Sequence, residues 1–284
     1  MRDRVVLAAY VAGWALLKAL PERLARRLFD LAAVYAARRQ GKGTRRLRTN
    51  LARVAPDADL DALTLAGLKS YGRYWLEMFR LPTMPRERVV RDLRCEGEER
   101  LRDAATHGGV AALPHMGNWD LAGAWASMTG MKFTTVAERL KPEGLFDRFV
   151  AFRESLGMEV VPLTGGVNPF DVLVDRVRSG HLVCLMADRD LTERGVEVTF
   201  FGETAKFPAG PAALALKTGT PLLPATLWFE GDGWVVRIHE AIPHTDVATM
   251  TQGLANVFEE GIREHPEDWH MLQRLWLSDL TPRA

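Results

Sequence analysis

The sequence has little cysteine, no apolar run long enough to cross a bilayer and no overall excess of charge. Its two cysteines, Cys95 and Cys184, cannot form a disulfide framework. Both lie in apolar stretches, so we predict buried free thiols and a reducing, cytosolic compartment. The 284 residues contain 37 Lys and Arg against 36 Asp and Glu, so the net charge of +1 identifies no partner. With 47% hydrophobic and 26% charged residues, the composition excludes wholesale disorder.

The most apolar part of the N-terminal region is residues 5–20, which contain Lys18 and are followed by Pro21. A membrane-spanning helix needs about 20 apolar residues, so this stretch is too short. It also lacks a clear small-residue cleavage pattern, so no secretory signal is expected. We predict instead a helix that lies in the membrane interface. The alternative is a helical hairpin that packs on the core with its arginines in solvent.

Positive charge is concentrated at the N-terminus. Residues 1–50 hold 12 basic and three acidic residues, a charge of +9, and the remainder of the chain is −8. Apolar residues at helical spacing (Leu24, Leu28, Leu31 and Tyr35) are interleaved with these arginines. This combination favours an anionic membrane surface over nucleic acid as the partner of a docking segment over residues 1–50.

The rhythm of the sequence changes near residue 91. The preceding part is helical, and residues 59–80 have one apolar side. Beyond it, short apolar runs alternate with amphipathic stretches, a pattern typical of an α/β protein. The predicted strands are 109–113, 133–137, 158–162, 181–186, 196–200, 221–228 and 233–239, and the predicted helices are 97–106, 118–129, 142–156, 168–179, 209–218 and 246–264. We predict a mostly parallel central sheet with helices on both faces and a helical, membrane-associating N-terminal region, in a single domain over residues 1–284.

The segment from Pro114 to Asp120 follows a predicted strand and opens a helix, and active sites of open α/β sheets collect at such loops. His115 is a candidate general base, and Asp120, five residues later, could turn back and fix its tautomer. Asn118 is a suitable helix N-cap, and Gly117 permits an unusual backbone conformation. The alternative is that His115 only decorates the loop and Asp120 occupies the first helical turn for electrostatic reasons.

A second polar cluster, Asp188, Arg189 and Asp190, follows the strand predicted at 181–186. Its D-x-D pattern leaves a metal-dependent glycosyltransferase as an alternative from another class. His265 and His270 resemble a metal pair only loosely, and no metal site is expected. The chain also lacks a G-x-S-x-G segment, which argues against a serine hydrolase.

The ordered set of motifs resembles one family. HMGNWDLAGAW (115–125) resembles the H-x4-D block of the glycerolipid acyltransferase superfamily, and in particular its branch of lipid A late acyltransferases and phosphatidylinositol mannoside acyltransferases. Four later blocks occur in the matching order: AERL (137–140), MADRDLTERGVEVTFFG (186–202), FPAGPAALALKTGTPLLPA (207–225) and HPEDWHMLQRLW (265–276). The chain lacks the Glu-Gly-Thr-Arg pattern of the wider superfamily, which leaves open which acidic residue acts in the third block.

The resemblance implies an acyl-CoA-dependent O-acyltransferase at the cytoplasmic face of the cell membrane, bound peripherally. It would move a long-chain, palmitoyl-like group to a mannose hydroxyl of a phosphatidylinositol mannoside, with His115 as base, Asp120 as its orienter and backbone amides near 117–119 as oxyanion donors. Acyl-CoA would be a co-substrate, and no cofactor is implied. The residues assigned to substrate contacts are Asn118, Glu138, Arg139, Arg153, Asp188, Arg189, Asp190 and Lys206. Other acceptors, of the lipid A or lysophospholipid type, and a non-catalytic lipid-binding module remain alternatives.

Overall fold

A computed structural model describes residues 13–14, 16–137, 143–163 and 168–280. Its strands are β1 Leu93–Glu96, β2 Gly109–Leu113, β3 Phe133–Ala137, β4 Glu159–Pro162, β5 Leu182–Met186, β6 Val196–Phe200, β7 Glu203–Phe207, β8 Leu222–Glu230 and β9 Gly233–Ile238. Its helices are α1 Glu22–Arg39, α2 Lys42–Val54, α3 Leu60–Arg80, α4 Arg86–Asp92, α5 Glu98–His107, α6 Trp119–Met128, α7 Glu143–Ser155, α8 Pro169–Arg178, α9 Gly210–Thr218 and α10 Val247–Glu264.

Seven strands form the central sheet in the order β1-β9-β8-β2-β5-β3-β4. The five strands from β8 to β4 along this order are mutually parallel, whereas β9 runs antiparallel to β8 and pairs in parallel with β1. The predicted mostly parallel sheet is therefore confirmed. All five residues of β2 are buried, as expected for a strand in the middle of a sheet that is covered on both faces.

Alternate residues of β2 enter two separate cores, which shows that helices cover both faces of the sheet. Val110 and Ala112 belong to a core shared with α8, α9 and α10. Ala111 and Leu113 belong to a second core shared with α4, α5, α6 and α7. Because side chains alternate along a strand, one apolar run of the sequence builds both layers.

Three strands differ from the prediction. Residues 196–200 do form a strand, but β6 pairs only with β7 in a separate antiparallel hairpin and does not join the central sheet. Neither β7 nor β1 was predicted, because their sequences, ETAKF and LRCE, mix polar with apolar residues and lack a continuous apolar run. Each is stabilised by pairing with a neighbouring strand, β7 with β6 and β1 with β9, and not by an apolar run of its own.

The N-terminal helices pack on one another beside the sheet, and α1 contacts α3 along much of its length. Residues 1–12 lie outside the described residues, but Trp14 donates a 2.7 Å hydrogen bond from Nε1 to the carbonyl oxygen of Phe79. The guanidinium of Arg80 donates to the carbonyl oxygens of Leu17 and Leu20. Within the described residues, no helix is both long and apolar enough to cross a membrane.

Candidate active site

His115 and Asp188 meet because their strands are neighbours. Leu113, at the end of β2, is in register with Met186 at the end of β5. His115 and Asp188 each lie two positions beyond these strand ends. Nδ1 of His115 lies 2.6 Å from Oδ1 of Asp188, and the backbone N–H of His115 donates to Oδ2 at 2.9 Å. The carboxylate therefore holds both the ring and the backbone of the histidine.

The electrostatics of this pair define the tautomer of His115. Burial opposes the charged form of each group, but their mutual attraction and hydrogen bonding outweigh it. The pKa of His115 is raised above its ordinary value, and the pKa of Asp188 is lowered. An ionised carboxylate only accepts hydrogen bonds, so Nδ1 carries the donated proton and Nε2 is the nitrogen that can accept another. The His115 side chain is 38% exposed and that of Asp188 is 0% exposed, so the pair presents the imidazole and keeps the carboxylate behind it.

Asp120 does not orient His115, contrary to the expectation from spacing. It is buried on α6, where it accepts hydrogen bonds from Nε of Arg153 at 2.7 Å and from the hydroxyl of Tyr74 at 2.9 Å. The Asp120 charge and hydrogen bond raise the pKa of Arg153 against the cost of burial. Burial, followed by the Asp120 charge, raises the pKa of Tyr74 well above its ordinary value. Asp120 is thus the centre of a buried polar cluster.

This cluster reaches the His115 ring through an aromatic residue, Trp119. The rings of Tyr74 and Trp119 stack with centroids 4.0 Å apart, and Trp119 meets the His115 ring edge-on at 5.6 Å. Nε of the Arg153 guanidinium pairs with Asp120, and the phosphate contact of Arg153 stays a prediction.

The helix start at Asn118 is confirmed, but this side chain is buried and faces the protein. Its Oδ1 caps α6 by accepting from the backbone N–H of Leu121, and its Nδ2 donates to the buried carboxylate of Glu77 at 2.9 Å. Gly117 has φ +59°, and an added Cβ would lie 2.8 Å from the backbone of Leu227. The tight approach of the loop to β8 therefore requires glycine.

The residues assigned to the third block separate in the structure. Asp188 has both oxygens engaged with protein donors and is fully buried, so the expected sugar contact is corrected. Asp190 turns toward Thr192, whose backbone N–H donates to its Oδ1, and its own N–H donates to the carbonyl oxygen of Lys206. Nε of Arg189 donates to the carbonyl oxygen of Arg274.

Two predicted contact residues, Glu138 and Arg139, lie outside the described residues. Among the residues that the structure describes, no group of three or more His, Cys, Asp or Glu side chains is arranged to hold a metal ion.

The segment Asp268–His270 belongs to the site. Gly117 N–H donates to the carbonyl oxygen of Asp268 at 2.9 Å, and His270 N–H donates to that of His115 at 2.7 Å. The segment therefore lies antiparallel to the loop over residues 115–117. Because the N–H of Gly117 is used here, it cannot serve as the oxyanion donor that was expected of it.

Behind this segment, Ser70 bridges two buried titratable side chains. Its hydroxyl donates to Oδ1 of Asp268 at 2.5 Å and lies 2.8 Å from Nε2 of His270. Burial raises the pKa of Asp268 to about 6 and lowers the pKa of His270 to about 3. His270 is thus neutral, with Nε2–H pointing to Ser70. The repeat of polar residues in HPEDWH was the only sequence signal for this network.

An apolar recess of about 320 Å³ lies between α1, α2 and α3. Apolar and aromatic side chains line it: Phe29, Ala32, Ala36, Leu68, Tyr71 and Leu272. Tyr71 also contacts the ring of His270, with centroids 5.3 Å apart. The recess is therefore next to the network that supports the His115 loop.

Comparison with known proteins shows the family of this chain. The sequence model of the bacterial lipid A biosynthesis acyltransferase family matches residues 2–278. The chain is 53% identical over 283 residues to the phosphatidylinositol mannoside acyltransferase of Mycobacterium tuberculosis strain H37Rv, covering 96% of this chain and 89% of the relative. It is 51% identical over 280 residues to the protein of the same name from Mycolicibacterium smegmatis, covering 96% and 91%. The chain belongs to this acyltransferase family, and it is an acyltransferase.

Proposed function

We propose that this enzyme transfers a long-chain, palmitoyl-like acyl group from acyl-CoA to a mannose hydroxyl of a phosphatidylinositol mannoside, at the cytoplasmic face of the membrane. The observation that supports this most strongly is the pairing of a partly exposed His115 with a buried Asp188 in a chain whose curated relatives bear that acceptor in their names. The cytosolic origin of acyl-CoA favours the cytoplasmic face.

In the proposed reaction, Nε2 of His115 accepts the proton of the mannose hydroxyl while the hydroxyl oxygen attacks the thioester carbonyl. The new C–O bond forms as the tetrahedral intermediate develops, and the C–S bond then breaks to release the CoA thiolate. The imidazolium returns its proton to the thiolate or to solvent. Asp188 stabilises the transient imidazolium and keeps Nδ1 protonated throughout. The positive end of the α6 dipole, which begins beside His115, favours the developing oxyanion.

The surface of the N-terminal helices supports a membrane location. Four large apolar or aromatic side chains of α1 are exposed by 45–66% in a single stripe: Leu24, Leu28, Leu31 and Tyr35. Exposed arginines flank the stripe at positions 23, 27, 38 and 39. An apolar stripe between cationic side chains suits the interface of an anionic bilayer. The apolar recess beneath α1 is a suitable place for an acyl chain that comes from this surface.

The test is transfer by the purified protein from palmitoyl-CoA to defined acceptors. We expect release of free CoA thiol that depends on a phosphatidylinositol mannoside, and a product heavier by one palmitoyl group, with an ester on mannose. A lipid A precursor and a lysophospholipid, tested in parallel, should react at least about tenfold more slowly, a difference worth about 1.4 kcal/mol. Preferred acylation of either would transfer the proposal to that acceptor. Transfer of sugar instead of acyl, abolished by a chelator, would contradict the reaction itself.

A further inference from the structure

The buried carboxylate of Asp188 receives hydrogen bonds from only two residues in the described part of the chain. Two donors come from His115 itself, its backbone N–H and its Nδ1. The third is the indole Nε1–H of Trp269, 3.1 Å from Oδ2. Trp269 is therefore the one described donor that can hold the carboxylate independently of the histidine that it orients.

The indole of Trp269 cannot easily leave this position. Its ring is 0% exposed and contacts Phe200 and Trp276 edge-on, with ring centroids 6.0 and 6.1 Å apart. Its backbone forms an antiparallel bridge with Met116 in the loop that contains His115. The same residue thus fixes the loop through its main chain and the carboxylate through its side chain.

We propose that Trp269 is a positioning residue for acyl transfer: its indole N–H fixes the orientation of the Asp188 carboxylate, and thereby the orientation and tautomer of His115. This inference rests on the proposed role of His115 as the base. Without the indole donor, Oδ2 of Asp188 retains only the backbone N–H of His115, and the carboxylate can rotate about its χ2. A buried carboxylate with fewer donors is also more basic, so it attracts the imidazolium more strongly.

The charged groups that act on the titration of His115 are Asp188 and Arg189, both after β5. The other titratable groups near its ring are the neutral His270 in the closing segment and Asp120, which pairs with Arg153 behind Trp119. Removing the indole N–H alters only the donors to Asp188 among these, so a change in the pKa of His115 reports on that contact.

The experiment compares Trp269→Phe with Trp276→Phe. Both indoles are fully buried and adjacent, and each loses one hydrogen bond, but Nε1 of Trp276 donates to the carbonyl oxygen of Phe200. For Trp269→Phe we expect a loss of kcat of about 10- to 100-fold with KM within about twofold, as for the loss of a hydrogen bond to a charged group. We also expect the acidic limb of kcat/KM, and the His115 pKa from NMR of the substrate-free protein, to rise by roughly half a unit.

Trp276→Phe should lower the unfolding midpoint about as much as Trp269→Phe does, because each loses one buried hydrogen bond. It should leave the acidic limb of kcat/KM and the His115 pKa unchanged. Equal effects of the two variants on kcat and pKa would overturn the proposal. If Trp269→Phe does not fold, 3-benzothienylalanine at position 269 replaces the N–H by sulfur with almost the same ring volume, and the same shifts are expected. Wild-type kinetics and pKa in that protein would equally overturn it. If His115 is not the base, His115→Ala remains active. This result distinguishes failure of the proposed role of His115 from failure of the inference about Trp269.

Discussion

The carboxylate of Asp188 accepts a 2.6 Å hydrogen bond from the ring of His115, although 73 positions separate the two residues in the chain. The pairing arises from strand order, because β5 lies beside β2 and their carboxyl ends meet at one edge of the sheet. Asp120, only five residues from His115, points instead to Arg153 and Tyr74. The two ends of the H-x4-D segment therefore have different partners: His115 pairs with the distant Asp188, and Asp120 belongs to a buried polar cluster on α6.

Asp188→Asn should lower kcat by about 10²- to 10⁴-fold. An amide N–H that faces Nδ1 of His115 donates to it and favours the tautomer with the proton on Nε2, which cannot accept a proton from the substrate. His115→Ala should cause a loss of the same order, and the double variant should be no worse than either single one. The measurement is acyl transfer by proteins whose circular dichroism matches the wild type. If Asp188→Asn kept turnover within a few fold of wild type, Asp188 would not orient the base.

Arg153→Met should destabilise the fold, because it leaves the carboxylate of Asp120 buried without its cation. Removing one partner of a buried pair costs about 3–5 kcal/mol, and Tyr74 compensates with only one neutral hydrogen bond. Urea unfolding measures the loss. The double variant Asp120→Asn/Arg153→Met should recover part of it, since no buried charge then remains.

The exposed pair of Arg91 and Asp92 provides the control for that experiment. Arg91→Met should leave the unfolding midpoint almost unchanged, because solvent already screens this pair. If Arg153→Met were as stable as the control, the buried cluster would not contribute to the stability of α6.

The sequence predicted the layers of this fold better than the contacts between distant elements. The strands at 109–113 and 133–137 and the helix cap at Asn118 were predicted at their observed positions, because apolar runs and capping residues act locally. His115 was identified because it directly follows a buried strand. Its partner was not, because strand order and register are properties of the whole sheet and spacing along the chain does not contain them.

Asp268 and His270 should make opposite contributions to the pH dependence of the free energy of unfolding. Ordinary pKa values are about 3.9 for Asp and 6.5 for His, whereas burial sets them to about 6 and about 3 in the folded protein. Between pH 4 and 6, approximately, folding therefore removes a proton from His270 and adds one to Asp268. The two contributions to the slope have opposite signs and cancel.

His270→Gln removes the contribution of the imidazole and leaves that of Asp268. Relative to wild type, the free energy of unfolding should therefore rise as the pH falls from about 6 to 4. Asp268→Asn removes the contribution of the carboxyl group, so relative to wild type the free energy of unfolding should fall as the pH falls from about 6 to 4. Each slope should differ from that of wild type by up to about 1.4 kcal/mol per pH unit, measured by urea unfolding at several pH values. The exposed His107→Gln is the control. Parallel curves for wild type and both buried-site variants would contradict the assignment of these protonation states.

Membrane docking is best tested with surface variants of α1. Deleting residues 1–40 should reduce vesicle binding, but it would also remove the buried Ala25 and Ala33 and expose the side of α3 on which α1 packs, so a loss of binding would be ambiguous. Exchanging Arg23, Arg27, Arg38 and Arg39 for Gln avoids this, because all four are exposed. Each cation contributes about 1 kcal/mol near an anionic surface, so binding to anionic vesicles should weaken by on the order of 10²- to 10³-fold and lose most of its salt dependence.

Exchanging the apolar stripe for Ser tests the other half of the same surface. With Leu24, Leu28, Leu31 and Tyr35 replaced, binding should weaken at every salt concentration, because insertion of apolar side chains does not depend on charge screening. Leu163→Ser, an exposed leucine on another part of the surface, is the control and should bind vesicles as wild type does. Cosedimentation with phosphatidylglycerol vesicles and with neutral phosphatidylcholine vesicles separates the two contributions. Unchanged binding in both variants would show that α1 is an ordinary solvated face and that the enzyme meets its lipid substrate elsewhere.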